Sequence, residues 1–175
     1  MPETDDHTTL PAPKLDPAPR VLIVIAPYYK RIAEAQLAGA QAQLRAVGAT
    51  FDVVETPGAL EIPPAIRFAA ESGLYEGYVA LGCVIRGETT HYETVCEESA
   101  RGVTYLTTAR GLAIGNGVLT VENDAQALER ALPDRLDKGG GAAAACLHLI
   151  ALARRFRRQG RPSPQSGSDD AILLA

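Results

Sequence analysis

A chain of 175 residues falls in the range where one hydrophobic core organises one domain. Hydrophobic residues make up 46% of it against 22% charged, which excludes a disordered polyelectrolyte and leaves ample material for a core. The net charge of −4 carries neither the basic footprint of a nucleic-acid binder nor the polybasic patch of a membrane-surface protein, so small polar partners are expected.

Residues 1–18 are rich in Pro and in acidic and hydroxyl residues without periodicity, and read as a flexible arm that includes His7. The arm lacks the basic start and apolar run of a secretory signal. VLIVIAP (Val21 to Pro27) is a β-branched run short enough to be a strand buried on both faces. The period then changes. Ile32, Ala35, Leu37, Ala40, Leu44 and Val47 recur at helical spacing, and Gly48 is the expected stop. The cycle repeats with TFDVVET as a second strand, IPPAIRFAAESG as a helix that opens on prolines, and GYVALGCVI as a third strand. A helix from Tyr92 to Ala109 and a strand GLAIGNGVLTV follow. Helices over Asp124 to Ala131, capped by Asn123, and over Gly140 to Arg158 complete the core, and residues 160–175 read as a flexible tail.

Strands and helices that alternate with short links predict an α/β fold: a three-layer α/β/α sandwich, flavodoxin-like, with a four-stranded parallel sheet over residues 19–159. Three isolated cysteines, Cys83, Cys96 and Cys146, have neither disulfide nor zinc spacing, and a cytoplasmic location is expected. The longest apolar stretch, Ala142 to Ala153, is too short to span a bilayer and contains His148.

In such sheets ligands collect beyond the carboxyl ends of the strands, where loops meet helix N-termini. GCVIRGETTHYETV, Gly82 to Val95, places a concentration of hydrogen-bonding groups at that rim. His91 reads either as a proton relay, since imidazole titrates near neutrality, or as a surface histidine held by Glu88 or Glu93. Gly87, Glu88 and Thr89 read as an anion-binding turn or as an ordinary strand-to-helix link. Arg130 either meets an anion or complements its own helix C-terminus. Glu61 either accepts from sugar-like hydroxyls or stabilises the helix beginning IPP. Lys138 reads as a substrate-orienting or Schiff-base lysine, or as a solvated charge. Cys83 and His148 read as packing residues, and the run RRFRR as a solvated helix end. Gly139-x-Gly141-x-x-Ala144 matches a dinucleotide fingerprint in letters only, since it follows PDRLDK and not a strand.

Taken together, PGALEIP, LGCVIRGETTHYE, GNGVLTVENDAQALERA and KGGGAAAA resemble the lumazine synthase family of riboflavin biosynthesis, in order and spacing, from about Val21 to Arg158. The resemblance implies condensation of 5-amino-6-(D-ribitylamino)uracil with 3,4-dihydroxy-2-butanone 4-phosphate to 6,7-dimethyl-8-ribityllumazine, with no metal or organic cofactor. It implies that Tyr28 stacks on the pyrimidine and that Ala59, Leu60 and Glu61 hold the pyrimidine and the ribityl chain. Cys83, Val84 and Ile85 then line the ring, Glu88 and Thr89 form the phosphate-holding turn, and His91 transfers protons. Asn116, Arg130 and Lys138 match groups that the family supplies from a neighbouring subunit, Arg130 acting on the phosphate. Tyr28 and Asn116 stand where some relatives carry Trp or Phe. A homopentamer with sites at the subunit contacts is implied as the basic unit.

Overall fold

The structure, a computed structural model, describes residues 10–159. The outer part of the expected arm, with His7, and the expected tail lie outside those residues. Of the arm, Leu15 packs partly buried against the domain, and the Pro17 carbonyl accepts from Arg154 at 2.7 Å.

Four parallel strands, β1 (Arg20–Ile25), β2 (Thr50–Glu55), β3 (Gly77–Ile85) and β4 (Ala113–Val121), form one sheet in the order β2-β1-β3-β4. Five helices flank it: α1 (Lys30–Ala46), α2 (Ile62–Glu71), α3 (His91–Thr108), α4 (Asp124–Ala131) and α5 (Lys138–Gln159). This is the expected α/β sandwich, with helix ends moved by a residue or two. α3 begins at His91 instead of Tyr92, and α5 at Lys138 instead of Gly140.

Alternation along β1 divides the core. Val21, Ile23 and Ile25 face α1 and α5, where they meet Ala40, Leu44, Ala143, Leu147 and Ile150. Leu22, Val24 and Ala26 face α2 and α3, where they meet Ile62, Ile66, Val103 and Leu106. β1 is therefore apolar at each of these positions because it is covered on both sides. α5 lies very close to β4 and α1. A Cβ on Gly115 would overlap the Ala142 carbonyl, and one on Gly139 would overlap the Gln36 main chain. Of the two glycines of the apparent dinucleotide fingerprint, Gly139 thus serves helix packing against α1, whereas a Cβ on Gly141 would meet nothing within 4 Å.

α5 starts on Asp137, a non-glycine residue at φ 40°, whose carboxylate accepts from Gly140 N–H at 3.0 Å. α4 starts on Asn123, whose Oδ1 accepts from Gln126 N–H at 2.9 Å, as expected for a cap. A third cluster, made by Ile32, Cys83, Leu119, Val121, Ala127 and Ala131, closes the core beneath the carboxyl ends of β3 and β4. None of the described helices is long and apolar enough to cross a membrane.

Candidate active site

From β1 the chain crosses to β2 on one side, and from β3 it continues to β4 on the other. The carboxyl ends of β1 and β3 are adjacent, so the loops that leave them diverge and open a crevice. A cavity of about 400 Å³ lies there. Tyr28 and Tyr29 enter it from the end of β1, Gly58 to Glu61 from the 3₁₀ turn after β2, and Cys83 to Ile85, Gly87, Thr89 and His91 from the end of β3 and the start of α3.

Each wall has a distinct chemistry. Tyr29 stands edge-on to Tyr28, ring centroids 5.0 Å apart, which braces Tyr28 while that residue stays 75% exposed and open to stacking. Burial pushes the Tyr29 phenol above its ordinary range. The 3₁₀ turn Ala59–Glu61 is anchored by buried Ala59 and by Thr56, whose hydroxyl donates to the Gly58 carbonyl at 3.2 Å. Glu61 occupies the N-cap position of α2 but makes no side-chain capping bond, and its exposed carboxylate lines the cavity. Cys83 is buried under the floor, and that burial, followed by the nearby Asp124 charge, pushes its thiol up to about 11. A thiol at that value is protonated at neutral pH and is no nucleophile, so Cys83 supplies packing and main-chain atoms.

The opposite wall is the N-terminus of an 18-residue helix. Thr90 makes no side-chain cap there, and His91 N–H reaches Thr89 Oγ1 only at 3.4 Å. First-turn N–H groups and the helix dipole therefore face the cavity mouth, as an anion site requires. His91 is exposed at this edge. Glu93, one of the two carboxylates expected to hold it, is instead taken by Arg86.

The cavity omits four residues that the sequence associates with the site: Glu88, Asn116, Arg130 and Lys138. Glu88 is exposed on the turn between two lining residues. Asn116 is exposed on β4, with its Oδ1 accepting from Val118 N–H at 3.0 Å. Arg130 is half-buried on α4 and donates to the Gln126 carbonyl of its own helix at 3.1 Å. Lys138 is exposed at the first position of α5. No Lys or Arg lines the cavity among the described residues. Tyr92 and Val95 do line it, and neither was singled out. Their signal was their spacing: one and four residues after His91, they share the inward face of α3.

The sequence profile of the 6,7-dimethyl-8-ribityllumazine synthase family matches residues 18–154. The chain belongs to that family. Lumazine synthases of Bartonella tribocorum and Erythrobacter litoralis are each 55% identical to it, over 79% and 78% of this chain and 92% and 97% of their own lengths. The lumazine synthase of a Jannaschia species is 51% identical over 82% of this chain and 80% of its own. The lumazine synthase match thus spans every strand and helix described above except the last five residues of α5, 155–159. It also covers both the residues that line the cavity and the three that lie away from it, Asn116, Arg130 and Lys138. Among the described residues no group of three or more His, Cys, Asp or Glu side chains is disposed to hold a metal ion.

Proposed function

We propose that this protein condenses 5-amino-6-(D-ribitylamino)uracil with 3,4-dihydroxy-2-butanone 4-phosphate to 6,7-dimethyl-8-ribityllumazine in the cytoplasm, as a homopentamer whose active sites are shared between adjacent subunits. One subunit supplies the cavity. Tyr28 stacks on the pyrimidine, Ala59, Leu60 and the main chain of Cys83, Val84 and Ile85 hold its edges, and Glu61 accepts from ribityl hydroxyls. Glu88 and Thr89, with the α3 N-terminus, hold the phosphate, and His91 moves protons. The neighbouring subunit supplies Asn116, Lys138 and the guanidinium of Arg130, which meets the phosphate dianion.

The observation that carries this reading is the composition of the cavity. An open aromatic face, a carboxylate, an imidazole and a helix N-terminus suit a stacked polyhydroxylated ring beside an anion, yet no cationic side chain lines the cavity among the described residues. Arg130 and Lys138 lie outside it within the chain, and both are at least partly exposed. A second copy is the economical source of the missing cation.

The 5-amino group attacks the ketone, and loss of water gives an imine. Proton removal next to the imine then expels inorganic phosphate, and the resulting enol returns to a ketone. The ribityl-bearing nitrogen closes on that carbonyl with loss of a second water. Most of these steps are proton transfers, for which His91 is placed at the cavity edge. Holding the two reactants in register is the larger contribution, since correct orientation is worth roughly 7–11 kcal/mol. The test is direct: the purified protein, given the two substrates alone, is expected to yield the fluorescent lumazine with one equivalent of phosphate. No product from either fresh or reconstituted assemblies would refute the assignment.

A further inference from the structure

Arg86 belongs to none of the roles above, yet more side-chain interactions converge on it than on its neighbours at the rim. Its N–H donates to the Val121 carbonyl at 2.9 Å, so its main chain is still fixed to the end of β4. From that fixed point its guanidinium lies over the Tyr92 ring, 4.1 Å from the centroid, and pairs with two carboxylates. Nη1 bonds Glu93, in the first turn of α3, and Nε bonds Glu122, just beyond β4, at 2.7 Å. The two carboxylates raise the guanidinium's pKa and Arg86 holds the Glu93 carboxyl below its ordinary range, so the Arg86–Glu93 pair stays ionised at working pH.

The turn that Arg86 grips is otherwise weakly braced. Thr90 gives no side-chain cap, the His91 to Thr89 contact is long, and nothing lies within 4 Å of the Cβ direction at Gly87. His91 is held between Thr90 and the Tyr92–Glu93 pair that Arg86 clamps.

We propose that Arg86 is a positioning residue: by clamping Tyr92 and Glu93 to the end of β4 it fixes the first turn of α3, and with it the His91 imidazole, against the bound substrates. It has a second, electrostatic effect. Glu93 and Glu122 stand beside the turn assigned to the phosphate, and the guanidinium offsets one of their two negative charges there. These two effects separate on substitution, because Lys keeps the positive charge but lacks the planar two-sided fork.

The inference rests on the roles given to His91 and to the phosphate turn, and steady-state kinetics with the product's fluorescence test it. Arg86→Lys is expected to lower kcat roughly tenfold, within the span of a displaced acid–base group, with KM for the ketose phosphate within about twofold of wild type. Arg86→Met is expected to lower kcat as much and also to raise that KM several-fold. Glu93→Gln, an exposed change that leaves Arg86 in place, is expected to reproduce part of the kcat loss. In a His91→Ala background, Arg86→Lys is expected to add nothing to the loss in kcat. Unchanged kcat in both Arg86→Lys and Glu93→Gln overturns the proposal, as does a full, multiplicative loss in the His91→Ala background. If His91→Ala itself leaves the rate untouched, it is the assignment of His91 that fails, and the two failures are told apart.

Discussion

His91 and Arg130 carry separable parts of the proposed reaction, so their loss has different kinetic signatures. A positioned acid–base group contributes about 10²–10⁴ in rate, and water partly replaces it at an exposed edge. His91→Ala is therefore expected to slow turnover at least tenfold without abolishing it, chiefly in kcat. Removal of a charge-assisted bond to the phosphate costs about 1.5–3 kcal/mol. Arg130→Ala is accordingly expected to reduce kcat/KM for the ketose phosphate roughly ten- to a hundredfold while the affinity for the ribitylaminouracil changes little. Cys83 gives a pH-dependent prediction. Its thiol, pushed up to about 11 by burial, stays protonated in the folded chain while an unfolded thiol ionises from about pH 8.5. Between those values the unfolded state binds fewer protons, so stability falls as pH rises and the loss levels off above the folded value. Thermal melting from pH 7 to 11 is expected to fall less steeply in Cys83→Ala than in wild type.

Among the elements, α5 shows how sequence and structure part. The strands and most helices were legible because hydrophobic period switches from continuous runs to helical spacing, and Asn123 marks the α4 start by cap chemistry. Gly139, near the start of α5, was legible only as part of a failed nucleotide motif. Its purpose depends on which element lies across from it, and no local pattern states that α5 rests on β4 and α1. Gly115→Ala places a methyl group against the Ala142 carbonyl, so the helix must move off the strand. Overpacking of this kind costs about 1–3 kcal/mol. A matching fall in the urea midpoint of unfolding is expected. Half of the site was legible in the same uneven way. The residues lining the cavity come from loops at one rim of the sheet, which α/β topology alone locates. Tyr92 and Arg86 were not found, since an aromatic ring and a guanidinium near a histidine have many surface roles until Glu93 and Glu122 are seen to meet them.

At the scale of the molecule, one chain is an incomplete catalyst in this account. The cavity offers a face to stack on and a helix N-terminus for an anion, while Arg130 and Lys138 lie outside it and are proposed to serve the site of another copy. A closed ring of such heterologous contacts completes every site it contains. The consequence is complementation between two damaged chains. When His91→Ala and Arg130→Ala chains are coexpressed in equal amounts and the mixed assemblies are isolated by two tags, some sites pair an intact His91 with a neighbour's intact Arg130. For random mixing that fraction is about a quarter of all sites. Lumazine formation by the mixed assemblies is expected to approach that share of the wild-type rate and to exceed the rate of either variant alone. Activity in the mixed assemblies no greater than the average of the two parents would contradict a site built across the subunit boundary.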